Sequence, residues 1–549
     1  MAVETLPPRT SAPSSESEPP AGGSRGLGER LRDLGSRRLA VAAFVLLLTL
    51  ASLYLRSGQL NFYYWIDEAI SVGISSHPLG QLPHLLREDG SPPLYYVVLH
   101  FWMKAFGRGE VATHWLSLTC ALITVPVSYL AGSSLFGRRT GVFTAVLAAG
   151  VPFLTSYAQE TRMYALLLLL SVLVAASFVH VFIERHRRYL PLFSLSLAAS
   201  LYTHNWALFM GVATFLAYLF CLWATPRLRR ELVRDGLIGF GVAGLLFVPW
   251  LPTVIYQARH TGAPWALRPV FWSLPQAFYF ITGGRGAAMT LALAGGFGLL
   301  AAGTGVLVRG PRWVSIRSET PGQRSLGVAT IALAILGFGT LLIAWAYAKT
   351  TPAWSGRYLA VVVGPMILLT GLGLSRARGL GVVALVFVCL FWVLDPRATS
   401  RDAKSNVASM AQVMNHRVSP TTLVLSTQPE QVPTLAYYMP EIRRFATPLG
   451  PVPDPGVMDW RNALDRFEHS SVRGVLAPLV RSLRPGQRVL LVMPTSFAKQ
   501  PMWIRLIYLD SVRWSRYLEH DPRLRLIKSA APAEHKANVG VRGRLYVVR

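Results

Sequence analysis

Two adjacent carboxylates, Asp67 and Glu68, follow Phe62, Tyr63, Tyr64, Trp65 and Ile66, just after the first long apolar run. A carboxylate within hydrogen-bond reach of a hydroxyl can act as its general base. Acidic groups at membrane depth are costly and tend to mark function. Asp67 is therefore read as a catalytic base at a membrane surface, with Glu68 beside it as the second catalytic candidate. A plainer reading competes: an ordinary solvated loop pair inside the belt of aromatics that lines membrane interfaces.

Four further stretches carry varied polar chemistry. One runs Glu88, Asp89, Gly90, Ser91, Pro92, Pro93, Leu94, Tyr95, Tyr96; another is residues 156–164, with Glu160, Arg162 and Tyr164. The third is the short turn Tyr202, Thr203, His204, Asn205, Trp206, and the fourth ends Trp354, Ser355, Gly356, Arg357, Tyr358. Arg162 and Arg357 offer planar, fork-shaped donors suited to phosphate oxygens. With Tyr358 they form the candidate phosphate-binding set, while Glu160, Tyr95, His204 and Trp354 are candidates for substrate binding. Each has a structural alternative: a Glu160–Arg162 pair, a snorkelling Arg357, a helix-end His204 and interfacial packing for Tyr95.

The elements that must position these residues are membrane helices. The chain has 549 residues, 52% hydrophobic and 15% charged, against about 25% charged in soluble domains. The net charge of +27 comes mostly from arginine clusters between apolar runs, the pattern that orients a polytopic membrane protein. No nucleic-acid-binding signature accompanies the charge. Cys120, Cys221 and Cys389 fall in apolar runs without ligand spacing, so neither a disulfide framework nor a zinc site is expected.

Residues 93–107 would reach roughly 22 Å as a helix, short of the roughly 30 Å hydrocarbon core, and read as interfacial. The expected spans are then about 39–55, 111–135, 139–155, 164–183, 189–204, 206–223, 235–251, 286–308, 326–348, 358–374 and 379–394. That gives about eleven, with the N-terminus inside and the C-terminus outside. It puts the arginine clusters in the cytoplasm and the polar motifs together on the outer face. Residues 1–35 read as a disordered cytoplasmic tail, 36–396 as the transmembrane catalytic domain and 397–549 as an extracytoplasmic α/β domain. The last assignment rests on strand-like runs at 423–425, 489–492, 524–527 and 545–548 with helical patterns at 459–468 and 509–519. The outer loop 252–285 is long, carries glycines at Gly283, Gly284 and Gly286, and is read as a lid.

The order Trp-Ile-Asp-Glu (65–68), Ser-Pro-Pro-Leu-Tyr-Tyr (91–96), Phe-Gly-Arg-Arg (136–139) and Tyr-Ala-Gln-Glu-Thr-Arg-Met-Tyr (157–164) resembles the GT-C glycosyltransferases. The nearest branch is that of protein O-mannosyltransferases and aminoarabinose transferases. The resemblance, over roughly residues 39–375, implies an inverting transferase using a polyprenyl-phosphate sugar, with its site on the extracytoplasmic face of a bacterial plasma membrane. It implies Asp67 as base, a contribution from Glu160 and Arg162, and Arg357 and Tyr358 near the donor phosphate. Some relatives bind a divalent metal, for which Glu88 and Asp89 are the candidates here. Where that family often has His before the Pro pair, this chain has Ser91. The acceptor would be a glycan, lipid or protein hydroxyl. A transporter or lipid flippase is the alternative, though no internal repeat supports it. A receptor presenting the outer domain is a third reading, and it leaves the membrane-proximal motifs without a purpose.

Overall fold

A computed structural model describes residues 27–307, 321–394, 404–495, 501–531 and 540–549. A helix stands at each expected span. Seven helices are long and apolar enough to cross a membrane: Arg38–Arg56, Glu110–Phe136, Tyr164–Phe182, Ala207–Ala224, Pro226–His260, Ser325–Thr350 and Gly356–Arg376. Arg285–Leu300 and Arg378–Leu394 are shorter apolar helices, and Arg138–Gly150 and Leu190–Thr203 fill the remaining positions. Most of the expected disordered tail lies outside the described residues, and the first helix already begins at Leu27.

The helices Tyr164–Phe182 and Gly356–Arg376 form the centre of the bundle, with most of each buried. Small residues set their spacing. A Cβ on Gly364 would come within 2.4 Å of the Val172 nitrogen, so the two central helices meet backbone to backbone only because Gly364 has none. The arginine-rich loops join one another: Arg185 and Arg187 both bind the fully buried Asp235, at 2.8 and 2.9 Å, and Arg139 donates to the Arg378 carbonyl at 2.7 Å.

Leu94–Phe106 is a 13-residue helix, too short to cross, as its length predicts. The loop expected at 252–285 is mostly helical instead. Helix continues from Arg229 through residues 248–250 to His260, and Ser273–Thr282 forms another helix. Periodicity missed this because Pro249 and Pro252 read as breakers, yet each sits in the first turn of its helical segment, where the missing N–H costs nothing.

The chain ends in a six-stranded sheet: β1 Leu423–Ser426, β2 Arg444–Thr447, β3 Gly450–Val452, β4 Arg488–Pro494, β5 Leu524–Ala530 and β6 Val541–Val548. Its order is β3-β2-β1-β4-β6-β5, with β1 parallel to β2 and β4 and the other pairs antiparallel. The β2–β3 hairpin is absent from the sequence reading, because Pro448 and Pro451 disguise it. This sheet belongs to the same compact unit as the bundle, Leu47–Arg549.

The helix that bears Asp67, Ile66–Ser75, carries the contact between the two parts. A Cβ on Gly73 would lie 2.0 Å from the Gly456 carbonyl oxygen. Backbone cannot yield as a flexible side chain does, so Gly73→Ala should destabilise the protein by about 1–3 kcal/mol. Thermal unfolding in detergent checks this, and an unchanged midpoint would contradict the contact.

Candidate active site

Ile66–Ser75 begins with Asp67 and Glu68 in its first turn, where the helix dipole favours negative charge. Their side chains part company. Asp67 is 17% exposed, and its Oδ2 is ion-paired with Arg357 and lies 3.9 Å from Arg162 Nε. Oδ1 has no hydrogen-bond partner among the described residues. Arg162 also donates through Nη1 to the Asp67 carbonyl at 3.2 Å and to Ser71 Oγ at 2.9 Å. The Nε atoms of both arginines are buried without an acceptor. One carboxylate therefore stands between two cations whose donors are only partly used.

Glu68 is fully buried. Its Oε1 accepts from His114 Nε2 at 2.7 Å, Lys404 Nζ at 2.8 Å and the Thr161 amide at 2.9 Å, while Oε2 caps the Trp65 amide at 3.3 Å. Burial alone would raise this carboxyl, but Lys404 and His114 outweigh it and hold it at about 2. Lys404 also donates to the Gln159 carbonyl at 2.6 Å, and His114 Nδ1 meets the Leu60 carbonyl at 2.7 Å. Glu68 thus ties four segments together beneath Asp67, with its oxygens committed. His114 and Lys404 were not among the sequence candidates. Lys404 had a signal: it is one of only six lysines in a chain that otherwise uses arginine.

Glu160 lies close by, with Oε2 buried and unpartnered. The expected Glu160–Arg162 ion pair is not among the salt bridges of the described residues. Burial pushes the Glu160 carboxyl up to about 7, against the pull of Lys404. The folded protein therefore keeps a proton that the unfolded chain loses near pH 4.5. Stability should fall as pH rises from about 4.5 through 7 and then level off. Unfolding midpoints across that range should show the fall in the native protein and not in Glu160→Gln.

The third and fourth motifs complete the site. Trp265 lies under Arg357, 4.4 Å from guanidinium carbon to ring centroid, with Trp65 at 5.5 Å. Tyr358 packs on His204 at 4.7 Å and on Trp206 at 5.4 Å, and Trp354 lies 5.6 Å from Trp206. His204 is buried and its Nδ1 accepts from the Trp206 amide at 3.0 Å. Tyr95 is buried with its hydroxyl unpaired. Asp67, Glu160, Arg162, His204, Trp354, Arg357 and Tyr358 thus converge, although nearly 300 residues separate the first from the last.

Glu88 and Asp89 do not form a metal-binding set. Glu88 is paired with Arg461 at 2.8 Å. Asp89 accepts from Tyr96 at 3.4 Å, and burial raises its carboxyl. Among the described residues no three His, Cys, Asp or Glu side chains gather as a metal would require. The two carboxylates instead brace the turn at Gly90, whose φ of 91° suits glycine.

The family model for dolichyl-phosphate-mannose-protein mannosyltransferases matches residues 90–256, a segment that includes Arg162 and His204 but neither Asp67 nor Arg357. No curated protein matches the sequence. Among solved structures, the chain is similar to ArnT from Cupriavidus metallidurans in the apo state, with a TM-score of 0.56 at 13% identity over 92% of this chain and 98% of that one. The same protein bound to undecaprenyl phosphate gives 0.53 at 14% identity, with the same coverage. The Archaeoglobus fulgidus oligosaccharyltransferase in the apo form gives 0.53 at 12% identity over 73% of this chain and 64% of that one. At such identities the likeness establishes the fold. The resemblance read from the motifs is borne out at that level: the chain has the fold of the GT-C membrane glycosyltransferases.

Proposed function

We propose, with that fold as premise, that the chain is an integral-membrane glycosyltransferase that moves a sugar from a polyprenyl-phosphate donor to an acceptor hydroxyl. Asp67 is its general base. The observation that carries this reading is the Asp67 carboxylate held between two buried guanidiniums brought from distant parts of the chain. A lone base would not need them. A base beside a leaving phosphate would, because the leaving group's charge must be met as the bond to it breaks.

In the proposed step the acceptor oxygen attacks the anomeric carbon while Oδ1 of Asp67 takes its proton. The bond from that carbon to the phosphate oxygen breaks, and polyprenyl phosphate leaves with the electron pair beside Arg162 and Arg357. An in-line displacement inverts the anomeric centre. ArnT has been seen with undecaprenyl phosphate, which supports a donor of this chemical class. The donor phosphate competes with Asp67 for Arg357 and so frees the carboxylate to act once the donor is in place. The aromatic wall of Trp65, Trp265 and Tyr358 gives the sugar apolar faces to rest on. We place the site on the extracytoplasmic side of a bacterial plasma membrane, from the arginine content of the opposite loops.

Membranes containing the protein, supplied with a panel of radiolabelled polyprenyl-phosphate sugars, should incorporate label from at least one. If no donor transfers while the purified protein moves lipid across vesicle bilayers, the transport reading replaces this one.

A further inference from the structure

In the terminal sheet, β1 pairs in parallel with β2 on one side and β4 on the other. The chain runs outward from β1 in one direction and later resumes in the opposite one. In open α/β sheets the crevice beyond the carboxyl ends of strands at such a reversal is where ligands bind. Here that crevice is walled by residues 427–431, leading into the helix Val432–Tyr438. The Thr427 amide stays attached to β4 through the Val492 carbonyl at 3.2 Å.

This loop holds the densest group of unpaired buried polar atoms in the described structure. Gln428 Oε1, Glu430 Oε2, both amide ends of Gln431 and Thr434 Oγ1 have no partner. Gln431 and Thr434 are 0% exposed, and Glu430 and Gln428 are 5% and 8% exposed. Each such atom costs about 1–3 kcal/mol, so five together are not explained by packing. The half of the group that is paired shows order: Gln428 Nε2 and Trp503 Nε1 both donate to Glu430 Oε1, at 3.0 and 3.1 Å. The helix after the loop packs on the segment carrying Asp67, with Tyr438 Oη accepting from the Tyr64 amide at 2.7 Å.

We infer that this crevice is the acceptor subsite, and that it takes a neutral, polyhydroxylated acceptor: a sugar of a glycan. The chemistry of the loop selects that class. Its free atoms are both donors and acceptors, as hydroxyls are, and no lysine or arginine stands in residues 427–434 to meet a phosphate or carboxylate. Burial raises the Glu430 carboxyl, which favours the neutral acid, itself able to donate. The acceptor would reach this loop from the side of Asp67, and its hydroxyls would supply the bonds these groups lack. The inference rests on the transferase reading for the word acceptor. The binding of sugar hydroxyls here does not depend on it.

Two measurements on the full-length protein in detergent test this. Thr434→Val and Gln431→Leu replace unpaired polar groups with apolar ones of similar size, so thermal stability should hold or rise. A lower midpoint for both would mean the groups are structural and would overturn the proposal. Binding of mannan-, arabinan- and glucan-derived trisaccharides, followed by tryptophan fluorescence, should be seen for at least one and weaken at least tenfold in both variants. Binding of none, or equal binding in the variants, would also overturn it, as would preference for a phosphorylated sugar. If trisaccharide binding behaves as expected while no sugar transfer is found with any donor, the subsite stands and the transferase reading fails.

Discussion

Asp67→Asn should lower sugar transfer by about 10²–10⁴-fold, the range a positioned general base supplies, with little change in donor KM. Asparagine keeps the shape of the side chain but takes up no proton. Arg162 retains its bonds to the Asp67 carbonyl and Ser71, so the donor's anchor persists. Loss of the negative charge also releases Arg357 from its ion pair, which leaves that guanidinium free for phosphate. Donor affinity should therefore hold or improve while turnover collapses. Steady-state kinetics with the donor varied at fixed acceptor separate the two parameters. A loss below about tenfold would remove Asp67 from the base role. Arg357→Ala makes the complementary case: its loss should appear in donor KM as well as in turnover, because the phosphate loses a partner in the ground state too.

The sequence already held the outline of this site, and the reason is physical. Membrane helices are strongly periodic and long, and polar residues at their ends are conspicuous against an apolar background. Asp67, Glu160, Arg162, His204, Trp354 and Arg357 could therefore be found one stretch at a time, and topology alone implied that they shared a face. What could not be read was which neighbouring side chain points where. Asp67 and Glu68 are consecutive, yet about 100° of helical rotation sends one to the open site and the other into a sealed cluster. The Glu160–Arg162 pair seemed natural by proximity, but both are turned toward other charges. Glu88 and Asp89 looked like metal ligands until Arg461 and Tyr96 were seen to occupy them. Arg461, Lys404 and the loop at 427–431 all come from the last third of the chain. No local pattern connects that region to residues 60–90, because long-range pairing leaves no trace in periodicity.

Lys404→Met should cost about 3–5 kcal/mol, the usual penalty for stripping one partner from a buried ion pair. The lysine is 8% exposed and Glu68 is 0% exposed, so water cannot take the place of the missing cation. His114 and the Thr161 amide remain on Glu68 Oε1, but the Gln159 carbonyl loses its donor as well. The thermal midpoint should fall by several degrees, and transfer should fall with it, because Glu68 fixes the helix turn from which Asp67 projects. Glu68→Gln in the native background should behave similarly, since it leaves the ammonium without its counter-charge. Combining the two removes both charges together, and the double variant should be more stable than the sum of the single losses predicts. The acid limb of stability adds an independent sign. Glu68 is held at about 2 in the folded protein, below its unfolded value, so it contributes stability above about pH 4.5 that is lost as pH falls toward 2. That loss should be smaller in the double variant. If Glu68 instead exchanged protons with substrate, Glu68→Gln would abolish turnover at full stability, and the added Lys404→Met would rescue nothing. Additive stability losses would likewise sever Lys404 from Glu68. The coupled outcome makes this buried pair the joint through which the last third of the chain sets the position of the catalytic carboxylate.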